Sequence, residues 1–372
     1  KDYVAEALAH EEALLREITD EEFKAILLNR IAKIPHPTDV EQSPQPLSVG
    51  FDVGDSDDLE EELVSYFEKV SSLSEKNRSI RFYPLTADVT TKKIAQQCGF
   101  DRSHVHYIDV GIREQHLIGV AHGLSVTDLK SRVLIVEGDP FLVRAIDQLH
   151  AVAQAGSRMI IIGADSGICE ARNGPTHQTT GQPGALLNMP GLTLLEPADV
   201  VDLNNCLNWA FSEYPGPVYI RLHSGMVERL LVEGDKRNLY AYVAYQPKNN
   251  PCAVIVACGL PIEGAMKLAR RLDVVDIGIK VINVINMKSL GRSFVDLLEH
   301  DIPLLTIYNG NPFVLQSAVS AAILEHASVR PSVIHAHGCT LGTTGKFDDL
   351  LRHFELDENG IEKVLRRNFS LD

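Results

Sequence analysis

The stretch YIDVGIREQHLIGVAHGL, residues 107–124, joins a short apolar segment to a helical pattern through one glycine. It predicts a strand that ends, a tight turn that Gly111 allows, and a helix with Glu114 in its first turn. Open α/β sheets carry their chemistry at the carboxyl ends of strands, so Glu114 lies where a functional acid is expected. A purely structural role explains Glu114 equally well at this point, because the helix dipole favours an acid in the first turn.

The segments around this stretch show the same alternation of short apolar stretches and helical patterns. HVHYIDV precedes REQHLIGVAHGLSV, RVLIVEG precedes LVRAIDQLHAVAQAG, and RMIIIGA, LTLLEP and PVYIRL follow. This alternation is typical of βαβ units around a parallel sheet. A second block of the same kind runs from AVIVACG, after the polar residues 246–250, to a helical C-terminus. The sequence therefore predicts an α/β protein with two domains, each built on a parallel or mixed sheet.

Residues 1–75 form an acidic extension to these domains, with 19 Asp/Glu and 6 Lys/Arg. One helix is predicted after Thr19 and Asp20, another after Asp57 and Asp58, and a proline-rich linker between them. The expected boundaries are 1–75 for the extension, 76–240 for the first α/β domain and 241–372 for the second. The extension is either a solvated helical collar or an arm that docks on a basic partner.

The composition excludes several classes of protein. The formal net charge is -15 and no basic stripe is present, which argues against a nucleic-acid partner. No run of about 18 apolar residues is present, so no membrane span is expected. Six dispersed cysteines without a CxxC pair indicate a reducing, cytoplasmic location. The charged start at Lys1 resembles neither a secretory leader nor a natural N-terminus, so trimming before Lys1 is expected.

The opening stretch resembles the glutamate-bearing motif of the transketolase family, which includes the deoxyxylulose-phosphate synthases. Further segments similar to this family follow its order: TADVT at 86–90, PFLVRAIDQ at 140–148, NGPTHQ at 173–178, NMPGLTLLEPADVVD at 188–202, GPVYIRL at 216–222 and GTTGKFDDLLRHFELDENGIEKVL at 342–365. The resemblance covers about residues 80–372. It implies a thiamine pyrimidine-binding domain followed by a transketolase C-terminal-like domain.

The resemblance also implies roles for particular residues. Glu114 would hydrogen-bond the pyrimidine of thiamine diphosphate, and Phe141 would stack on that ring, although a core Phe is the alternative. Asp88 would lie near the thiazolium, with a turn or helix-cap Asp equally expected. Further cofactor contacts are expected from Arg144 and Ile112.

On the substrate side, the resemblance implies that His177 exchanges protons or hydrogen bonds with a hydroxyl or carbonyl oxygen. Substrate contacts are also expected from Asn173, Gln178 and Arg221, although the family counterpart of Arg221 is more often structural.

The diphosphate half of such an enzyme is missing from this sequence. Transketolases mark it with Gly-Asp-Gly and a later Asn, whereas EGDPF at 137–141 and EGDKR at 233–237 stand in the wrong contexts. The resemblance therefore implies a separate, diphosphate-binding partner subunit that supplies the Mg²⁺ ligands, with no metal site on this chain. A heterotetramer is expected.

Four positions depart from the family pattern. Gly138 replaces an aromatic residue of the family, and Asn173 replaces an acid that contacts a sugar hydroxyl. Ser224 replaces an arginine that binds a phosphate, and Asn309 replaces an acid in the C-terminal domain. Loss of an arginine removes a strong phosphate contact. The substrate is therefore expected to be an unphosphorylated ketose, a 2-oxo acid or a specialised metabolite.

Three function classes remain open. The first is a split transketolase-like transferase that moves a two-carbon ketol unit. The second is a carboligase or dehydrogenase subunit that decarboxylates a 2-oxo acid, as in the deoxyxylulose-phosphate synthases. The third is a non-catalytic scaffold that binds a partner; Glu114, Phe141 and His177 argue against it, whereas Gly138 and Ser224 favour it.

Overall fold

The computed structural model describes residues 49–76, 81–87, 106–127, 131–213, 216–225, 227–230, 237–326 and 329–369. The range Leu47–Asp372 forms one compact unit. The helix predicted after Thr19 and Asp20 lies outside the described residues, as does Asp88. None of the described helices is both long and apolar enough to cross a membrane.

Within the described residues, the first sheet has six parallel strands in the order β2-β1-β3-β4-β6-β5. Strand β2 lies on one side of the β1–β3 pair, and β4, β5 and β6 lie on the other side. The direction in which the sheet is built therefore reverses between β1 and β3. Every residue of β3 is buried, as expected for a strand covered on both faces. The bounds are Arg81–Thr86 (β1), Ile108–Asp109 (β2), Ser131–Gly138 (β3), Met159–Ala164 (β4), Thr193–Leu195 (β5) and Pro217–Arg221 (β6).

Helices cover both faces of this sheet. The described helices are Leu59–Lys76 (α1), Glu114–Thr127 (α2), Asp139–Leu142 (α3), Ile146–Gln154 (α4), Gln182–Leu187 (α5) and Val200–Glu213 (α6). The apolar sides of α2 and α4 share one core cluster, and those of α1 and α6 share the other. The predicted βαβ layout is thereby confirmed.

The second sheet has the described order β11-β10-β8-β9-β7, and β7 is an antiparallel edge strand on an otherwise parallel sheet. Its strands are Ala241–Tyr245 (β7), Ala253–Cys258 (β8), Ile279–Val284 (β9), Leu304–Tyr308 (β10) and Ile334–Gly338 (β11). Its helices are Pro261–Asp273 (α7), Arg292–Val295 (α8), Pro312–His326 (α9), Phe347–His353 (α10) and Glu358–Asn368 (α11). The α/β fold class, with one parallel and one mixed sheet, is confirmed.

Helix α1 packs on the first sheet. The side chain of Asp58 accepts hydrogen bonds from the backbone N–H groups of Glu60 and Glu61, which caps the helix at its predicted start. Phe67 is fully buried, and its ring centroid lies 6.4 Å from that of Phe82 in β1. The last helix of the expected extension thus packs into the core of the first domain, and the boundary at residue 75 stays a prediction.

Residues 165–181, which we call the β4–α5 loop, are held by the second domain. Asn309 Oδ1 accepts a hydrogen bond from the N–H of Ile168 at 3.2 Å. The Gln178 side chain donates to the carbonyl of Thr343 at 2.8 Å and accepts from the N–H of Thr343 at 3.1 Å. The second domain therefore fixes the loop that contains the NGPTHQ motif.

Candidate active site

A cavity of about 300 Å³ lies at the carboxyl ends of three neighbouring strands of the first sheet. Gly138 ends β3, Ala164 ends β4 and Leu222 follows β6, and all three residues line the cavity. Ligands bind at this edge of open α/β sheets. The other lining residues come from α1, α3, the β4–α5 loop and the segment after β6: Glu60, Leu63, Pro140, Phe141, Asp165, Glu170, Asn173, His177, His223 and Ser224.

Glu114 begins helix α2, as predicted, and is 6% exposed. Its Oε1 accepts a hydrogen bond within an ion pair from Nη1 of Arg144, which lies in the short 3-10 helix Val143–Ala145. The helix dipole favours an acid in this first turn. The structure thus brings two of the predicted cofactor residues into direct contact.

Phe141 lies in the short helix α3 directly after β3. Its ring meets the imidazole of His177 edge to face, with 5.3 Å between the centroids. The guanidinium carbon of Arg144 lies 5.3 Å from the centre of the same ring. A Cβ atom at Gly138 would lie 2.8 Å from Cδ2 of Phe141, so the absence of a side chain at position 138 makes room for the ring. The predicted residues Glu114, Arg144, Phe141 and His177 therefore form one continuous group.

His177 ends the 3-10 helix Pro175–His177 in the β4–α5 loop. Gly174 precedes this turn with φ of 79°, a left-handed conformation that favours glycine. His177 Nδ1 is hydrogen-bonded to Oγ1 of Thr176 at 3.0 Å, an interaction whose donor depends on the tautomer. The proline and glycine of the motif fix a turn that presents the imidazole to the cavity.

The remaining predicted substrate and cofactor residues occupy three different settings. Asn173 lines the cavity, and its amide donates to Oε2 of Glu170. Gln178 is nearly buried and bonds to Thr343, so its side chain holds the loop. Ile112 is 71% exposed in the turn before α2. Asp88 lies outside the described residues, so its role stays a prediction.

Arg221 lies away from the cavity. It is 0% exposed at the end of β6 and is absent from the cavity lining. Its guanidinium donates to Asp139 at 3.0 Å, to Glu196 at 2.8 Å and to the hydroxyl of Tyr308 at 2.5 Å. Because these partners enclose the guanidinium, the packing favours the structural alternative for Arg221, and its substrate contact stays a prediction.

Four ionisable residues of the cavity lining were not predicted from the sequence. Asp165 and Glu170 closely precede the NGPTHQ motif, and this proximity is the signal that could have identified them. His223 follows the GPVYIRL motif directly. Glu60 comes from helix α1, and nothing in the sequence relates it to the other three.

The charge of Asp165 acts on the carboxyl group of Glu170. Burial raises the pKa of Glu170, and the neighbouring charge of Asp165 raises it further. The hydrogen bond from Asn173 acts in the opposite direction and lowers this pKa. Asp165 has φ of 55°, a conformation that non-glycine residues adopt infrequently and that Asp and Asn tolerate best. This wall of the cavity is acidic.

His223 is 1% exposed, and neither of its ring nitrogens has a hydrogen-bond partner among the described residues. Burial lowers its pKa to about 4, and the charge of Arg221 acts in the same direction. The ring is therefore neutral at physiological pH. A buried polar group without a partner costs about 1–3 kcal/mol, so this ring lowers the stability of the fold.

The pKa of His223 predicts a pH dependence of stability. The unfolded imidazole, with a pKa of about 6.5, binds a proton more tightly than the folded one, so stability falls as the pH drops from about 6.5 toward 4. We expect His223 to lower the free energy of unfolding by about 2 kcal/mol between pH 7 and pH 5. Urea unfolding of the wild type and of His223→Gln at both pH values isolates this effect. An identical pH dependence in the two proteins would contradict it.

Among the described residues, no group of His, Cys, Asp and Glu is arranged to hold a metal ion. The described cysteines are free thiols: Cys169, Cys206, Cys252, Cys258 and Cys339.

Comparison with known protein families gives a match over residues 68–228 to the family described as "Transketolase, pyrimidine binding domain". A 1-deoxy-D-xylulose-5-phosphate synthase of Listeria monocytogenes is 31% identical over 222 residues, which cover 59% of this chain and 35% of that protein. The enzyme of the same name from Macrococcus caseolyticus is 25% identical over 312 residues, which cover 80% of this chain and 46% of that protein. The chain thus spans about a third to a half of the length of these relatives.

Two solved structures share the fold. A transketolase from Campylobacter jejuni superposes with a TM-score of 0.70 at 14% identity, over 96% of this chain and 52% of that one. A protein described as a split gene transketolase, in an inactive beta4 tetramer, superposes with a TM-score of 0.65 at 20% identity, over 85% of this chain and 99% of that one. At these identities, the likeness concerns the fold alone.

Proposed function

We propose that this chain, which matches the transketolase pyrimidine-binding family over residues 68–228, is the pyrimidine-binding subunit of a split, thiamine diphosphate-dependent transferase. The proposed reaction moves a two-carbon ketol unit between sugars. The observation that carries the proposal is the group formed by Glu114, Arg144, Phe141 and His177 at the carboxyl edge of the first sheet.

These residues fit the aminopyrimidine of thiamine diphosphate. Phe141 offers an aromatic face, for which Gly138 leaves room, and Glu114 offers a nearly buried carboxyl group. Thiamine diphosphate, when bound, would supply an acidic thiazolium carbon for ketol transfer. Glu114 would share a proton with a ring nitrogen of the pyrimidine through its other carboxyl oxygen, and Arg144 would orient that carboxyl group through Oε1.

His177 is the residue proposed to act on the substrate. Its Nδ1 is bonded to Thr176, so Nε2 is the nitrogen that would exchange a proton or hydrogen bond with a substrate oxygen. The contact with Phe141 places this imidazole beside the proposed cofactor residues.

A partner subunit is proposed to bind the diphosphate and to provide the Mg²⁺ ligands. The near match EGDPF at 137–141 supports this inference, because Asp139 is buried and bonded to Arg221, Tyr219 and Thr179 instead of being open to a cation. By analogy with the tetrameric split-gene protein, we propose a heterotetramer of two copies of each subunit. The dispersed cysteines support a cytoplasmic location.

One alternative is favoured by a specific observation. Several curated relatives are named 1-deoxy-D-xylulose-5-phosphate synthase, which makes a decarboxylating carboligase the second candidate. The two reactions differ in their products, because a carboligase releases CO₂ from a 2-oxo acid and a ketol transfer releases none. Assaying the assembled complex for ¹⁴CO₂ from [1-¹⁴C]pyruvate distinguishes them.

Cofactor binding tests the proposed function. We expect the full chain alone to bind thiamine diphosphate and Mg²⁺ at least about a hundredfold more weakly than the complex with a diphosphate-binding subunit, because the charged end of the cofactor would have no site here. Isothermal titration calorimetry on the chain and on the reconstituted complex measures both affinities. Phe141→Ala should weaken binding to the complex, and sub-micromolar binding by the chain alone would overturn the split-subunit proposal.

A further inference from the structure

The two rings that meet at the candidate site belong to different segments of the chain. Phe141 lies in helix α3, and His177 lies in the β4–α5 loop. The ring planes form an angle of 84°, and the centroids are 5.3 Å apart. An aromatic pair favours such a geometry by only about 0.5–1.5 kcal/mol, so the ring contact alone is too weak to hold a loop in place. Other bonds must therefore set the distance between the helix and the loop.

A buried hydrogen bond joins α3 directly to the β4–α5 loop. Asp139 is the first residue of α3 and stands two positions before Phe141, and Thr179 stands two positions after His177. The hydroxyl of Thr179 donates to Oδ2 of Asp139 at 2.5 Å. Asp139 is 0% exposed and Thr179 is 3% exposed, so water does not compete for this bond. A hydrogen bond to a carboxylate in such a setting is stronger than one between neutral groups.

The hydroxyl group of Thr179 uses its whole hydrogen-bonding capacity. It accepts from the N–H of Gly167 at 2.7 Å and from Nη2 of Arg221 at 3.1 Å. A hydroxyl group has one donor and two acceptor sites. Because Gly167 and Arg221 are themselves donors, the hydroxyl hydrogen of Thr179 must point at Asp139.

The carboxyl group of Asp139 is also fixed from the sheet. Tyr219 in β6 donates to its Oδ1 at 2.5 Å, and Nε of Arg221 donates to its Oδ2 at 3.0 Å. A Cβ atom at Gly163 in β4 would lie 2.6 Å from the Tyr219 hydroxyl and 2.8 Å from Oδ1 of Asp139, so the glycine leaves the space that this bond needs. The start of α3 is thus anchored to the first sheet, and Thr179 attaches the loop to the same anchor.

We propose that the hydrogen bond between Thr179 and Asp139 positions the His177 imidazole against the Phe141 ring, so that Thr179 and Asp139 are positioning residues of the proposed active site. The inference rests on the proposed function only in treating these two rings as parts of an active site. Neither Thr179 nor Asp139 lines the cavity, so both act through the residues that they hold.

A second attachment of the loop gives the competing explanation. The side chain of Gln178 bonds to the backbone of Thr343 at 2.8 Å and 3.1 Å. These bonds hold the loop to the second domain and do not involve α3. If they alone placed His177, loss of the Thr179 hydroxyl would leave the contact between the two rings unchanged.

Replacing Thr179 with Val tests the proposal, because it removes the hydroxyl group and keeps the branched shape of the side chain. We expect the nuclear Overhauser cross-peak between the ring protons of Phe141 and His177 to lose most of its intensity, since this signal falls steeply with distance. The measurement uses the full chain, deuterated except for its Phe and His side chains, without cofactor or partner. The cross-peak is identified by its absence from Phe141→Leu and from His177→Gln.

Rescue by serine and a matched control separate positioning from general stability. Thr179→Ser keeps the hydroxyl donor, so the cross-peak should have its wild-type intensity. Thr306→Val is the control, because Thr306 is also buried and its hydroxyl donates to the carbonyl of His335 in the second sheet. This variant should leave the cross-peak unchanged even where it lowers the melting temperature.

Replacing Asp139 with Ala tests the other end of the bond. The substitution removes the acceptor of the Thr179 hydroxyl, so the cross-peak should weaken as it does in Thr179→Val. This variant carries the test if Thr179→Val does not fold, and circular dichroism checks that each variant has retained its secondary structure.

Four results would overturn the proposal. They are an unchanged cross-peak in folded Thr179→Val, no recovery in Thr179→Ser, an equal loss in Thr306→Val, or no cross-peak in the wild type. Because the experiment needs neither cofactor nor partner, its failure leaves the proposed cofactor role of Glu114 standing. Conversely, tight cofactor binding by the chain alone would reject the split-subunit proposal and leave these two positioning residues in place.

Discussion

Replacing Glu114 with Gln is expected to slow hydrogen exchange at the thiazolium carbon of bound thiamine diphosphate by about 10²- to 10⁴-fold in the complex with the partner subunit. The carboxyl group of Glu114 is nearly buried at the first residue of α2. An amide cannot take up and return the proton that this carboxyl group is proposed to share with the pyrimidine. Hydrogen–deuterium exchange, quenched with acid and measured by ¹H NMR, gives the rate directly.

A matched substitution separates this effect from a general disturbance. Glu213→Gln changes an exposed acid at the end of α6 and should leave the exchange rate at its wild-type value. The melting temperature and complex assembly of Glu114→Gln should stay close to those of the wild type. Exchange at the wild-type rate in Glu114→Gln would remove Glu114 from the mechanism.

Replacing Arg221 with Met is expected to lower the free energy of unfolding by about 3–5 kcal/mol. The substitution leaves the carboxyl groups of Asp139 and Glu196 buried without their cation, since both are bonded to this guanidinium. Burial already raises the pKa of Glu196. Because protonation neutralises an unpaired carboxylate, the loss of stability should shrink as the pH falls.

Urea unfolding at neutral and acidic pH measures this effect. Arg292→Met serves as the control, because Arg292 is 75% exposed and its ion pair with Asp296 at 3.8 Å should contribute less than about 1 kcal/mol. Equal stability losses in the two variants would show that the buried network around Arg221 is dispensable.

The fold could be predicted from the sequence because its strands are indicated by short, local sequence patterns. Segments such as RVLIVEG are short, apolar and followed by helical patterns, and β3, which contains this segment, is buried along its whole length. The antiparallel edge strand β7 was not predicted. Its direction depends on pairing with β9 and not on a pattern within residues 241–245.

The candidate site was only partly predictable. Glu114, Phe141 and His177 stand within contiguous motifs, and the structure brings them together. The burial of Arg221 depends on Tyr308, which reaches it from the second sheet, and the presence of Glu60 at the cavity depends on how α1 packs. Such long-range contacts leave no signal in the local sequence, so these two placements required the structure.

The bonds from Asn309 and Thr343 to the β4–α5 loop also limit how the gene can be divided. A break in the reading frame between β6 and β7 would leave the first sheet with all six of its strands but would separate the loop bearing His177 from the groups that hold it. Two such fragments would have to reassociate before the cavity could take shape. Fission at this point would therefore be disfavoured by selection, and the two sheets are expected to be inherited as one polypeptide.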